Sequence, residues 1–168
     1  MLSSRRVCAV TYSLSATKLQ AYSRCPRFYS LKYHHRLPSK PIRQPLLGKA
    51  LHDALAQFYR WPGWRGLPSL DVLHDCWISA VEKLPNLTCE QQDQGWDILR
   101  EYYEQFVASL EQWQEPVAVE GRLEGRLHAA QVEFKITGRY DRLERLLSHD
   151  ATAQLHLIDY KKIGRAHV

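Results

Sequence analysis

The chain has 168 residues, of which 45% are hydrophobic and 24% are charged, a composition typical of one compact soluble domain of about 150 residues. No segment approaches the roughly 20 consecutive apolar residues of a membrane-spanning helix, and Met1–Val10 lacks the apolar centre of a signal peptide. We therefore expect a cytoplasmic protein that does not associate with membranes. The four cysteines form no Cys-x-x-Cys pair, which argues against a disulfide framework and against a zinc module.

The net charge of +5 is distributed unevenly along the chain. Residues 1–50 contain ten Lys and Arg and no acid, whereas residues 51–168 contain the remaining thirteen together with all 18 Asp and Glu. This asymmetry predicts a polyanionic partner for the basic N-terminal part. Four aromatic residues lie among these cations, and they either pack in a core or offer their rings to unpaired bases: Tyr22, Phe28, Tyr29 and Tyr33.

The first half of the chain is predicted to be helical. Thr17–Gln20 fits a capping box, and Pro26 suits the first turn of a second short helix that continues to Tyr33. Thr88–Gln91 fits another capping box at the start of a longer helix. Apolar residues recur at helical spacing in three segments, which predicts helices over 46–60, about 70–84 and 88–113.

In the second half of the chain the apolar period changes to two, which is typical of strands. Apolar and polar residues alternate over 117–123 and again over 132–136, and a third apolar run covers Leu155–Tyr160. The polar segment 148–153 predicts a hairpin loop before the last strand. We expect an α/β fold in which N-terminal helices precede an antiparallel β-meander.

Three short strings in the sequence carry the candidate chemistry. They are Gly48-Lys-Ala-Leu-His52, Gly138-Arg-Tyr-Asp-Arg142 and Leu157-Ile-Asp-Tyr-Lys161. If the last two form a hairpin whose turn centres near residue 150, the numbers of paired residues add up to about 300. Asp141 then faces Asp159 on the neighbouring strand, with the two backbones about 5 Å apart.

Two opposed carboxylates repel one another unless a cation lies between them. Mg²⁺ and Mn²⁺ prefer carboxylate ligands, so Asp141 and Asp159 predict a site for one of these ions. Lys161 projects from the same face of its strand as Asp159, which adds an ammonium group beside the ion. His52 lies one helical turn after Gly48, and a helix face without a side chain at that glycine would let the imidazole approach the site.

In this order, together with Tyr22-Ser-Arg-Cys-Pro26, the strings resemble the PD-(D/E)XK nuclease superfamily, specifically its RecB-like branch. The resemblance runs from about Leu14 to Lys162 and implies a restriction-endonuclease-like core. It implies a metal-dependent DNA nuclease similar to RecB-family exonucleases, acting in DNA repair or recombination on single strands or duplex ends, with a helicase as a further partner. The alternative is a catalytically silent module of the same fold that binds nucleic acid or docks a partner.

The resemblance also assigns roles to particular residues. Lys161 would orient or activate the attacking water. Glu120 stands where such proteins often carry an acidic residue before the motif strands, and we include it among the candidate catalytic residues. The ligands of Mg²⁺ or Mn²⁺ would be His52, Asp141, Asp159 and the carbonyl of Tyr160.

Cys25 precedes a proline in the segment Tyr22-Ser-Arg-Cys-Pro26. In parts of the RecB-like branch such a cysteine is the first ligand of an iron–sulfur cluster, which three cysteines near the C-terminus complete. The sequence contains no such trio. We therefore expect no iron–sulfur cluster in this chain and would look for one only in a longer parent protein.

The C-terminal end departs from the family pattern. Proteins of the RecB-like branch continue after the string that corresponds to Leu157–Lys161 with a helix and a further strand. The present chain ends seven residues after Lys161. Residues 163–168 have the sequence that a common sequencing adapter encodes when it is translated in one frame. We therefore expect a nuclease-like domain over 1–162 that lacks the C-terminal helix and strand of the core, and a non-native tail over 163–168.

The expected truncation leads to a test. Loss of a covering helix would expose apolar surface of the sheet, so we expect the chain to be less stable and less active than a longer parent. Extension with the native C-terminus should raise the melting temperature, and an unchanged melting temperature would contradict the expectation.

Overall fold

The computed structural model of the protein describes residues 11–38, 46–61, 66–129, 132–147 and 153–160. The elements in chain order are β1 (Thr11–Ser15), α1 (Ala16–Arg24), α2 (Pro26–Tyr29), a π-helical turn (Ser30–His34), α3 (Leu46–Arg60), α4 (Leu70–Glu82), α5 (Cys89–Phe106), β2 (Ala118–Ala129), β3 (Val132–Leu147) and β4 (Ala153–Ile158). The α/β class predicted from the sequence is confirmed. No helix within these ranges is long and apolar enough to span a membrane.

The strands of the described ranges form one sheet in which β3 pairs with each of the others. β1 pairs with the first part of β3 in parallel, and β4 pairs with the last part of β3 in antiparallel orientation. The predicted hairpin register is confirmed, because Arg142 pairs with Ile158 and Leu143 with Leu157, so that paired numbers add up to 300. The hairpin loop predicted over 148–153 lies almost wholly outside the described residues.

β1 is an addition to the predicted order, in which a helix came first. Thr11 pairs with Glu133 on β3, and its hydroxyl donates a hydrogen bond to that carboxylate at 3.1 Å. The ring of Tyr12 packs on the ring of Phe134, with centroids 6.0 Å apart. Residues 11–15 alternate between polar and apolar side chains, so the sequence contained a strand signal that the prediction did not use. The partner strand, more than a hundred positions away, could not be inferred from this local pattern.

The contacts within the chain divide it into two compact units. The first unit contains β1, α1, α2, the π-helical turn, and the parts of β2 and β3 between residues 122 and 139. The second contains α3, α4, α5, the start of β2, the end of β3 and all of β4. The candidate site residues His52, Asp141 and Asp159 all belong to the second unit.

Local hydrogen bonds set the starts of the two N-terminal helices. The hydroxyl of Ser15 accepts a bond from the amide of Lys18 at 3.3 Å, so α1 begins directly after this N-cap. The capping box predicted at Thr17 is therefore wrong. The start of α2 at Pro26 is confirmed, and the segment continues as a π-helical turn to His34.

The longer helices agree with the sequence more closely. α3 has the predicted limits, α4 ends two residues early at Glu82, and the capping box at Thr88 is confirmed. α5 ends at residue 106 and not at 113. The amides of Val107 and Ala108 both donate to the carbonyl of Tyr103, an arrangement that terminates a helix.

The core of the second unit lies mainly between α3, α4 and α5. Its largest fully buried side chains include Phe58 and Leu55 of α3, Leu73 of α4 and Leu99 of α5, each contributing about 1.5–3 kcal/mol by leaving water. The indole ring of Trp77 on α4 packs against α5 at a glycine. A Cβ atom at Gly95 would overlap this ring, so the close approach of the two helices requires the glycine.

Two glycine substitutions in helices should therefore change stability in opposite directions. Gly95→Ala is expected to lower the free energy of unfolding by about 1–3 kcal/mol, because the added methyl group pushes Trp77 aside. Gly48→Ala on α3 is the matched control, since no described atom lies within 4 Å of its Cβ position. It should raise that free energy by about 0.5–1 kcal/mol through helix propensity. Urea denaturation followed by circular dichroism measures both, and effects of equal sign would contradict the packing account.

Candidate metal centre

Asp141 connects β3 to two other parts of the second unit through its two carboxylate oxygens. Its Oδ1 lies 3.2 Å from Nδ1 of His52 on α3. Its Oδ2 accepts a hydrogen bond from the backbone amide of Tyr160 at 2.6 Å. The side chains are only partly exposed, 18% for Asp141 and 34% for His52. The structure thus brings together residues from all three strings.

His52 lies at the margin of the buried face of α3, next to the buried Leu51. Its ring meets the ring of Tyr160 edge to face, with centroids 5.8 Å apart. In the tautomer with hydrogen on Nδ1, the imidazole donates to Asp141 and keeps the lone pair of Nε2 for another partner. The close approach predicted at Gly48 is absent from the described part of the chain, where no atom lies within 4 Å of the Cβ position.

Asp159 follows β4 directly and is exposed. The ladder between β3 and β4 ends at Arg142 and Ile158. One further step in the same register brings Asp159 opposite Asp141, the position that the hairpin prediction requires. Lys161 lies outside the described residues, so its role as the catalytic lysine continues to rest on the sequence.

Arg142, the neighbour of Asp141 on β3, is buried, with 7% of its surface exposed. Its guanidinium lies over the ring of Tyr59, 3.9 Å from the centroid, and Nη1 donates to the hydroxyl of Tyr102 at 3.0 Å. Nε lies 2.9 Å from Oε1 of Glu144, an ion-pair distance, although the two atoms are not aligned for a hydrogen bond. Sequence reasoning missed this cluster of Arg142 with Tyr59, Tyr102 and Glu144. The available signal was strand alternation, which puts the consecutive residues Asp141 and Arg142 on opposite faces of β3.

Burial and mutual contact shift the pKa values in this cluster. Burial raises the pKa of Tyr59 and of Tyr160 far above the ordinary value near 10. Burial alone would lower the pKa of Arg142, but the surrounding tyrosines and Glu144 raise it, so the guanidinium keeps its charge. The buried hydroxyl of Tyr160 has no hydrogen-bond partner among the described residues.

Glu120 contacts Arg60, near the C-terminal end of α3, with Oε2 3.7 Å from Nη2. Its backbone has φ 48°, a left-handed conformation that few residues other than glycine adopt and that recurs at functional sites. The described contacts of Glu120 are therefore with Arg60 and not with Asp141. Its predicted catalytic role stays a prediction.

The donor atoms at Asp141 fit a hard divalent cation. Oδ1 of Asp141 and Nδ1 of His52 share a hydrogen bond at 3.2 Å, and an ion bound by both atoms would replace that hydrogen bond, with the imidazole proton on Nε2. Carboxylate and carbonyl oxygens suit Mg²⁺ and Mn²⁺, and an imidazole is a common ligand of divalent transition metals. Within the described ranges, no group of three His, Cys, Asp or Glu side chains is close enough to hold a metal, so the described arrangement contains a pair of ligands and not a complete set.

A carboxylate next to an imidazole offers two of the donor groups that divalent cations accept in proteins. The comparison with known families identifies the class of protein. The family model of the PD-(D/E)XK nuclease superfamily matches residues 13–167, and the chain belongs to this superfamily. Its members are generally nucleases that use divalent metals. Neither the curated proteins nor the solved structures provide a match.

The tyrosine cluster should make the protein sensitive to alkaline pH. Because the pKa of Tyr59 is raised in the folded state, its contribution to stability is complete below about pH 10 and is lost as the pH rises further, when the unfolded chain releases the proton. We expect the urea midpoint to fall between pH 9 and 11, and to fall less in Tyr59→Phe. Tyr22→Phe, at an exposed position, is the control and should match the wild type. A urea midpoint that does not change with pH up to 11 would contradict the claim that burial in this cluster raises the pKa of Tyr59.

Proposed function

We propose that the protein is a Mg²⁺- or Mn²⁺-dependent deoxyribonuclease whose ligands are His52, Asp141, Asp159 and the carbonyl of Tyr160. The observation that carries the proposal is the contact of Asp141 with both His52 and the amide of Tyr160. These residues come from three separate strings, and membership of the superfamily supports nuclease chemistry. The hairpin register supports Asp159 as the partner of Asp141.

Each residue would have a distinct part in phosphodiester hydrolysis. A bound divalent cation neutralises charge on the phosphate and makes water a better nucleophile. Asp141 and Asp159 supply the negative charge that holds the cation, and His52 adds a neutral ligand. Lys161, two residues after Asp159, would orient the attacking water and stabilise negative charge in the transition state. Glu120, paired with Arg60 in the described contacts, is proposed as a further acidic residue of the site.

The finer assignment follows the resemblance of the motifs. We propose a RecB-like exonuclease that acts in DNA repair or recombination in the cytoplasm, with a helicase as a partner. The basic N-terminal part supports a nucleic-acid substrate, because ten Lys and Arg and no acid occur in residues 1–50.

A cleavage assay tests the proposed site. We expect a C-terminally extended form of the chain to degrade labelled single-stranded or duplex DNA with Mg²⁺ or Mn²⁺, the 168-residue chain to be less active or inactive, and EDTA to stop the reaction. Asp141→Asn, Asp159→Asn and Lys161→Ala should each lower the rate by about 10²–10³-fold, because the two aspartates would hold the cation and the lysine would stabilise negative charge in the transition state. Asp97→Asn, an exposed residue of α5 paired with Arg100, is the matched control and should retain full activity.

The outcomes of this assay separate the proposal from its alternative. Equal activity in wild type and in all three site variants would overturn the assignment of the site. Salt-dependent DNA binding without cleavage by any form, including a C-terminally extended one, would favour a catalytically silent binding module.

Metal binding can also be measured without turnover. Mn²⁺ at about one hundred times its dissociation constant should stabilise the folded state by about 2.7 kcal/mol, which corresponds to a rise of roughly 5–10 °C in melting temperature for a chain of this size. Asp141→Asn should abolish the rise, whereas Asp97→Asn should preserve it. An equal rise in the melting temperature of both variants would mean that Mn²⁺ binds at a site that does not include Asp141.

A further inference from the structure

The helical segment of the first unit, Ala16–His34, contains no buried residue. Each helix of the second unit buries at least three. The segment nevertheless carries large aromatic side chains, of which Tyr22 is 56% exposed and Phe28 is 48% exposed. The rings that the sequence left as either core or stacking surface therefore do not lie in a core.

Three of these rings, those of Tyr22, Tyr29 and Tyr33, form a connected cluster, and Phe28 and Tyr33 share a contact with Lys32. Tyr29 lies at the centre of the cluster, with its ring edge to face against Tyr22 at 5.5 Å between centroids, and 5.0 Å from the ring of Tyr33. Phe28 lies beside Tyr29 in the chain and is bonded to the start of α2 through its amide, which donates to Sγ of Cys25 at 3.4 Å. Tyr22 and Phe28 are the exposed rings of this group, whereas Tyr29 and Tyr33 are partly buried.

Positive charge accompanies the cluster. Nζ of Lys32 lies 5.6 Å from the ring centre of Phe28 and 5.3 Å from that of Tyr33, and Nζ of Lys18 lies 5.6 Å from that of Tyr33. Residues 16–38 contain no Asp or Glu. Their five cations form no ion pair within the described ranges: Lys18, Arg24, Arg27, Lys32 and Arg36.

The backbone at the end of the segment is irregular. The helix widens to a π-helical turn over Ser30–His34, a feature that often marks functional sites. Arg36 follows with φ 50°, a conformation that costs a residue other than glycine about 1–2 kcal/mol. Unfavourable backbone geometry in a segment with exposed rings and cations without ion-pair partners in the described ranges favours a role in binding.

We propose that these rings and the five cations, which we call the aromatic–basic surface, bind single-stranded DNA. Unpaired bases would stack on Tyr22 and Phe28, while their phosphates contact the lysines and arginines. Duplex DNA can use only the cations, because its bases already stack on one another. The choice of DNA rests on the proposed nuclease function, and the surface adds a preference for unpaired strands.

Fluorescence anisotropy of labelled DNA in EDTA tests the surface without any cleavage. Phe28→Leu keeps an apolar side chain but removes the flat ring, and should weaken binding of a 20-nucleotide oligo(dT) by about 5- to 100-fold. Phe28→Trp should restore it. Neither change should alter the affinity for a blunt duplex of the same length by more than about twofold. Arg27→Gln should weaken binding of both DNAs and reduce the salt dependence, by about 0.7 in the logarithmic slope for the single strand.

Controls distinguish this proposal from the proposed nuclease function, from RNA binding and from dimerisation. Phe106→Leu, at an exposed aromatic position of α5, should bind like the wild type, and circular dichroism melting verifies that each variant is folded. Equal affinity of Phe28→Leu and wild type for oligo(dT) would overturn the proposal, even if the chain cleaves DNA. Equal binding of an oligo(U) of the same length would contradict the choice of DNA over RNA, and a dimer that Phe28→Leu dissociates would assign the surface to a second copy of the chain.

Discussion

The carboxylate of Asp141 is the constraint on which the candidate site depends. A carboxylate that is mostly withdrawn from water needs hydrogen-bond donors or a cation, and Asp141 contacts an imidazole on one oxygen and a backbone amide on the other. These partners come from α3 and from the segment after β4. One side chain therefore ties the end of the hairpin to a core helix, and the same oxygens are the natural ligands of a hard cation.

The next residue along β3 anchors the strand by different means. Arg142 is a buried cation held by the ring of Tyr59, the hydroxyl of Tyr102 and the carboxylate of Glu144. Aromatic faces and a single carboxylate compensate part of the cost of removing a guanidinium from water. Asp141 therefore lies at the candidate metal site, whereas the next residue, Arg142, packs β3 against α3 and α5.

Local patterns in the sequence predicted much of the fold. The limits of α3, the capping box at Thr88 and the register of the β3–β4 hairpin all follow from short-range spacing, and all three are confirmed. β1 was missed although its residues alternate between polar and apolar, and its pairing with β3, which joins residues more than a hundred positions apart, could not be inferred from a local pattern. The start of α1 was wrong because Ser15 and Thr17 are both acceptable N-caps, and only the observed hydrogen bond distinguishes them.

The candidate site was predictable to a similar extent. The register brought Asp141 to the end of the hairpin, and motif order supplied His52, which the structure brings within 3.2 Å. Strand alternation puts Arg142 on the face opposite to Asp141, but the partners that bury it are tyrosines of α3 and α5 that are distant in sequence. The exposure of Tyr22 and Phe28 was also open, because aromatic residues at helical spacing are equally compatible with a core.

The most direct test of the account is a crystal structure of the protein with Mn²⁺, using anomalous scattering to locate the ion. We expect an anomalous peak from a Mn²⁺ ion that is bound by the carboxylates of both Asp141 and Asp159. A Mn²⁺ peak at other side chains, with Asp141 hydrogen-bonded to His52 and to the amide of Tyr160 but bound to no ion, would contradict the proposed metal centre.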